Sequence, residues 1–510
     1  MSDLSRRQFL KTTGRVSLGA SILGAPHVCR AADRKPNLLF LWTDEQRADT
    51  IDVYGNTTIQ TPNMSRLAQE SIVFKRAYVS QAVCTPSRST VMTGLWPHES
   101  GCTQNNIPLP ETTPCLPEIL GDSDYRTGYF GKWHLGDEIF AQHGFAEWVS
   151  LEDGYRNYYR ETRDKNQKSS YYHFLKDLGY TPDTSQGDFS RGFASRLKIE
   201  HCKPKFLELN ACDFLRRHKN EPFILYVNFL EPHMPFFGPL NDLHSPEEIS
   251  LPANFDDPLE EDEPLAYRLK QFHYREHGYG GLDLKTEAGW RRLIANYWGL
   301  CSQVDRSIGE ILKTLETEGL ANHTIVVYTS DHGDMMGSHR LLAKTVMYEE
   351  ATRVPWMMRV PQSGFKAQVI SQPVSHIDMV PTLLDLMGKP VEDGFTGHSL
   401  VPLMKGGVAQ EDHVFIEWNP SEAENPTERP TGIGPDKAER ALKSYTRTVV
   451  SPSGWKLCLN DQDSDQLFNL NLDPGETQNL FYTGMHSERI EALSRRIHQW
   501  QRRVGDRIVV

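Results

Sequence analysis

Cys84-Thr85-Pro86-Ser87-Arg88 brings a thiol, a helix start and a fixed cation together within five residues. Pro86 suits a first helical turn, because its missing N–H would be unpaired there in any case. From Ser87 to Thr93 nothing breaks the helix, until Gly94 and Pro97 stop it. A thiol at a helix N-terminus meets unpaired N–H groups and the positive end of the helix dipole, both of which favour an anion. Arg88, about one turn on, offers a planar guanidinium able to fork around a tetrahedral oxyanion. Taken alone, such a stretch is more often a buried cysteine beside a surface arginine, since free cysteine commonly fills cores.

Other reactive residues stand where apolar runs end. Residues 37–43 stop at Asp44-Glu45, residues 222–230 at Glu231-Pro232-His233-Met234-Pro235, and residues 324–330 at Asp331-His332-Gly333-Asp334. Continuous apolar runs of this length predict strands buried on both faces, as in a parallel sheet. Ligand groups in open α/β sheets lie beyond the carboxyl ends of the strands, so three such ends predict one pocket. A fourth run, 125–130, leads into Gly131-Lys132-Trp133-His134-Leu135-Gly136, whose glycines predict a tight turn with close backbone approach. Lys344 follows the third strand end on a loop, with His339 before it either lining the pocket or facing solvent.

These segments resemble the type I, formylglycine-dependent sulfatases of the alkaline phosphatase-like superfamily. The match comprises Cys-x-Pro-x-Arg at 84–88, Gly-Lys-Trp-His-x-Gly at 131–136, His-x-Pro at 233–235 and two acidic segments, in the family's order, from about residue 37 to the C-terminal region. The resemblance implies that a maturation enzyme oxidises Cys84 to formylglycine, whose hydrated aldehyde is the nucleophile. It implies a metal held by Asp44, Glu45, Cys84, Asp331 and His332. Glu45 departs from the usual Asp-Asp pair, and Asp331-His332 is a known variant of Asp-Asn. Carboxylates, a hydrate oxygen and an imidazole suit Ca²⁺, with Mg²⁺ or Mn²⁺ as alternatives. Arg88, Lys132 and Lys344 are then expected to surround the sulfate with positive charge. His233 or Lys344 would protonate the departing alcohol, and His134 would take a proton from the second hydroxyl to release sulfate.

The 510 residues carry a net charge of −12, which disfavours a nucleic-acid partner, and no run is long and apolar enough to span a membrane. Residues 1–32 read as a twin-arginine export signal: Arg6-Arg7, a weakly apolar run over 16–25, and small residues at Ala31 and Ala32. Cleavage after Ala32 would remove five bases and one acid and leave a still more acidic chain, exported folded to the periplasm or beyond. Cys29, Cys102, Cys115, Cys202, Cys212, Cys301 and Cys458 show no Cys-x-x-Cys pairing and predict no particular disulfide.

The expected architecture is α/β: a large, mostly parallel sheet flanked by helices over 33–400, then a small antiparallel sheet with a closing helix over 401–510. Residues 137–221 show no clear period and carry Tyr155, Tyr158, Tyr159, Tyr171 and Tyr172, which either stack on sugar rings or pack the loop. Residues 419–441 read as a polar loop reaching toward the site. The expected activity is hydrolysis of a sulfate ester on a carbohydrate. The alternatives are a phosphodiesterase or phosphonate monoester hydrolase on the same scaffold, and a non-catalytic sugar-binding relative.

Overall fold

The structure is a computed structural model describing residues 35–362, 364–391, 394–421, 426 and 428–510. The export signal expected at 1–32 lies outside the described residues. In chain order the strands of the main sheet are β1 (Asn37–Asp44), β2 (Ile72–Tyr78), β3 (Arg126–Gly131), β4 (Glu147–Val149), β5 (Phe223–Pro232), β6 (Thr324–Ser330), β7 (Arg353–Arg359), β8 (Gln368–Ile370) and β9 (Val374–Ser375). They are ordered β4-β3-β5-β1-β6-β7-β2-β8, with β9 beside β2. Among them β7 alone runs against its neighbours; every other pairing is parallel.

Every residue of β1 is buried. Leu38, Phe40 and Trp42 enter one core and Leu39 and Leu41 the opposite one, as the two-residue period of a strand dictates. The run is continuously apolar because both faces are covered. Each fully buried large side chain of this kind contributes about 1.5–3 kcal/mol. The helices Cys84–Thr93, Leu116–Leu120 and Met379–Leu386 supply the first core. Pro62–Gln69, Lys203–Arg217 and Glu287–Thr317 supply the second.

The register decides where the chemistry falls. Thr43 stands opposite Ser330 of β6 and Phe229 of β5, and Asp44 opposite Pro232 after a register shift of two residues. The three central strands therefore end level, and Asp44, His233 and Asp331 emerge at one edge.

A second, antiparallel sheet follows: β10 (Val414–Trp418), β11 (Thr446–Val450), β12 (Trp455–Asn460) and β13 (Gln466–Asn469), in that order. The Ser487–Val504 helix covers it with Leu493, Ile497 and Trp500 against Val449, Leu457 and Leu467.

Two sequence readings need correction. Residues 137–221 contain the fifteen-residue Lys203–Arg217 helix, and residues 419–441 contain most of another, Pro435–Leu442. Asp378 occupies the N-cap position of the Met379–Leu386 helix without a side-chain cap bond; its carboxylate accepts N–H bonds from Ser375 at 3.3 Å and His398 at 2.8 Å.

Candidate active site

Cys84 is the first residue of its helix, after Val83, and Gly94 ends that helix in the left-handed conformation at φ 73°. All ten helical residues are buried, so the thiol is presented by a rigid core element. Its Sγ lies 3.2 Å from His332 Nε2, 3.7 Å from Asp44 Oδ1 and 3.8 Å from Lys132 Nζ. Burial and the Asp44 carboxylate push the thiol up to about 11. The anion that the helix start favours is thus outweighed, and the thiol stays protonated at neutral pH.

Arg88 faces the same way one turn later. It is wholly buried and gives Nε to Asp331 Oδ2 and Nη2 to Asp44 Oδ2, each at 2.8 Å. Nη1 donates to Lys132 O at 2.9 Å and Asn228 Oδ1 at 3.0 Å, and the guanidinium lies 4.8 Å over the Trp42 ring. Its fork therefore clasps two carboxylates from different strands, not an open oxyanion position as its spacing suggested.

Lys132 also bonds the Asp44 carboxylate. Burial alone would raise Asp44, but the charge of Lys132, with that of Arg88 beside it, holds it well below the usual carboxylate range. The glycine turn behaves as its sequence predicts: Gly131 has φ 123°, and a Cβ there would sit 1.8 Å from Asn228 O. His134 follows at φ 57°. Its Nε2 meets Asn106 Oδ1 at 2.9 Å while its Nδ1 is buried without a partner. Burial and the charge of Lys132 hold His134 well below its ordinary value. Burial and Lys344 do the same to His233. Both imidazoles are neutral at neutral pH.

Asp44, Cys84, Asp331 and His332 each offer one ligand atom, all within 4.8 Å of one another. His332 Nδ1 is engaged by Gly333 O at 2.8 Å, which turns the Nε2 lone pair inward, the orientation usual for a metal-binding imidazole. Two carboxylate oxygens, one imidazole nitrogen and the atom at position 84 fit a divalent cation. Glu45 is not in this set but forms a second, adjoining one with Asp44 and His233, whose ligand atoms likewise lie within 4.8 Å of one another. Its Oε2 accepts Lys344 Nζ at 3.0 Å and lies 3.4 Å from His233 Nε2, while Oε1 is buried without a partner. Burial raises its carboxyl well above the usual range. Lys344 Nζ is also 3.2 Å from His233 Nε2.

These residues open into a cleft of about 500 Å³ lined by Cys84, Lys132, His134, His233 and Lys344. His339 does neither thing considered for it: it is buried, stacked 4.1 Å from Tyr348 and bonded to Asp257 and Asn254. Of the loop tyrosines, Tyr155 lines the cleft, against the His134 ring at 4.7 Å, whereas Tyr158 is exposed and Tyr171 packs against Phe206. The sequence reading missed Asn105, Asn106, Arg191 and the Lys270, His273 and Tyr274 face of the Leu265–His277 helix, all of which line the cleft. The i, i+3, i+4 spacing of that face was the available signal. Pro426, from the loop expected to reach the site, also lines it.

Comparison with known proteins accords with this geometry. Residues 36–389 match the Sulfatase family and residues 337–503 the N-sulphoglucosamine sulphohydrolase C-terminal family. The chain belongs to the formylglycine-dependent sulfatases of the alkaline phosphatase-like superfamily and is a sulfuric ester hydrolase. It is 30% identical to an uncharacterized sulfatase, YidJ, of Escherichia coli over 456 residues, covering 88% of this chain and 83% of the relative. It is 27% identical over 532 residues to an N-acetylglucosamine-6-O-sulfatase of Bacteroides thetaiotaomicron, covering 93% and 87%. A solved structure in complex with its substrate, D-glucosamine-2-N,6-O-disulfate, superposes with a TM-score of 0.72 at 25% identity, covering 93% of this chain and 99% of that one.

Proposed function

We propose that the protein removes sulfate from a carbohydrate, with position 84 carried as formylglycine and a divalent cation, Ca²⁺, held by Asp44, Asp331, His332 and position 84. The observation that carries this reading is the buried cysteine between two lysines and two arginine-clasped carboxylates. A thiol whose proton is held to about pH 11 is a poor nucleophile as it stands, so conversion of the side chain explains its placement. The hydrated aldehyde would supply an oxygen nucleophile, and a cation held by these residues would supply positive charge that favours its deprotonation.

The chain's own groups do the rest. Lys132 and Lys344 stand on the cleft wall and stabilise the negative charge of the sulfate. Lys344 Nζ and His233 Nε2, 3.2 Å apart, form the pair that gives a proton to the departing alcohol. His134, neutral and with Nδ1 unpaired, accepts a proton beside position 84. Arg88 orders Asp44 and Asp331 without touching the substrate.

The carbohydrate part rests on Tyr155 and the polar cleft wall, and on a relative named for N-acetylglucosamine-6-O-sulfate. Residues 33–400 are assigned to catalysis and 401–510 to a supporting α+β subdomain, with 1–32 as the twin-arginine signal. The test is a comparison of kcat/KM for sulfated sugars and 4-nitrophenyl sulfate. A sugar turned over better than the aryl ester supports the reading, and an aryl ester that equals or exceeds every sugar removes the carbohydrate part.

A further inference from the structure

Beside the cleft lies a second cavity of about 510 Å³, and the two share Tyr155 and Arg191 in their walls. The partition between them is fixed by one guanidinium. Arg191 gives Nε and Nη2 to the two oxygens of Glu152 at 2.7 Å each, and Nη2 also to Tyr155 Oη at 2.7 Å. Its Nη1 lies 3.5 Å from His233 Nδ1. Lys203 Nζ closes the arrangement on Glu152 at 2.8 Å. A group resting on this wall is thus one residue away from His233, the partner of Lys344 in the proton-donating pair.

The cavity has the chemistry of a sugar site. Tyr172 and Phe189, with ring centres 5.4 Å apart, give it aromatic surface, and Tyr155 joins them from the partition. Its cations, Arg191 and Lys203 among the lining residues, are both engaged by Glu152. Asp188 is held by Arg156 and Lys168, and Asp153 accepts from Ser169. Each charge in this wall is thus already paired, so an anionic ring would find no unpaired cation among the lining residues named, whereas the lone pairs those bonds leave on the carboxylates can still accept from hydroxyl groups of a neutral ring.

We propose that this cavity is the subsite for an uncharged sugar ring joined to the sulfated one, so that the substrate is at least a disaccharide. The proposal rests on the sulfatase reading above and adds the size and charge of the substrate. Binding energy from the second ring is realised next to His233 and so raises turnover as well as affinity.

Gly154 provides the test. It lines the second cavity but not the cleft, its φ is not in the left-handed region, and a Cβ there meets nothing within 4 Å. Gly154→Phe would fill the space, and Gly154→Ala is the conservative control. The probes are 4-nitrophenyl sulfate and two matched series, 6-sulfated N-acetylglucosamine and 2-sulfated hexuronate, each as monosaccharide and as a disaccharide with a neutral second ring. The neutral disaccharide of the accepted series is expected to exceed its monosaccharide by about tenfold or more in kcat/KM. Gly154→Phe removes that advantage with aryl sulfate turnover retained, and Gly154→Ala keeps it. If the aryl ester is hydrolysed but no disaccharide exceeds its monosaccharide, or if the advantage survives Gly154→Phe, the subsite is refuted while the sulfatase reading stands. If the modified, metal-loaded protein hydrolyses none of the probes, the sulfatase reading fails and the subsite with it.

Discussion

Replacing Arg88 by lysine keeps the charge and removes the fork. Arg88 makes four hydrogen bonds, to Asp44, Asp331, Lys132 O and Asn228 Oδ1, with no solvent access. A lysine ammonium is a point donor that spans one of the two carboxylates and at most one neighbour. Two or more buried bonds are lost, those to carboxylate being worth about 1.5–3 kcal/mol each. A net cost of about 3–5 kcal/mol follows, the scale of breaking a buried ion pair. Domains of 150–250 residues lose about 2–4 °C per kcal/mol and longer chains less, so the melting midpoint of Arg88→Lys should fall by about 5–10 °C. The metal-free protein is the right sample, because a bound cation would itself hold the carboxylates. Asp44 and Asp331 would no longer be aligned, so kcat/KM for an aryl sulfate should drop by about 10²-fold. A double-mutant cycle with Asp331→Asn should show coupling well above 0.5 kcal/mol, since the two side chains share a hydrogen bond. A variant that melts within about 1 °C of wild type and retains nearly full activity would refute the clasp.

Asp331→Ala should lose bound cation and activity together, and chelation of the wild type should abolish turnover that Ca²⁺ restores, as metal analysis and an aryl sulfate assay would show. His98 sits between Glu417 and Val504 O; burial opposes its charge, but the Glu417 bond raises it to about 9. Its contribution is present below the unfolded value near 6.5 and is lost as pH rises through about 9. Since the ring is partly exposed, that contribution is on the order of 1–2 kcal/mol, and His98→Gln should flatten the melting midpoint between those two pH values. Tyr155→Ala should lower kcat/KM for the preferred sugar by about tenfold or more, whereas Tyr158→Ala, at an exposed position away from the cleft, should leave it unchanged.

The strands carrying the site were legible because their apolar runs are long and end in charged residues: 324–330 is β6 to the residue, and 37–43 misses only Asp44 of β1. The antiparallel sheet was legible too, since short strands separated by turn residues have that period. The Lys203–Arg217 helix was passed over amid polar, tyrosine-rich sequence, although Leu207, Ala211, Phe214 and Leu215 follow helical spacing. The direction of Arg88 was not legible, because spacing places a guanidinium on a face but not against particular carboxylates 44 and 243 residues away. The thiol's protonation was misjudged for a related reason. Helix geometry is local, whereas the Asp44 charge and the burial that outweigh it come from the assembled sheet edge. Glu45 likewise shows its place only in three dimensions, turned toward Lys344 and His233.

The central claim is that position 84 acts as formylglycine. The most direct measurement sets the fraction of Cys84 converted, read by peptide mass spectrometry, against turnover of 4-nitrophenyl sulfate across preparations made with graded amounts of a maturation enzyme. The account predicts turnover proportional to the converted fraction, with none left in Cys84→Ala. Full activity in protein that carries only the thiol would contradict it.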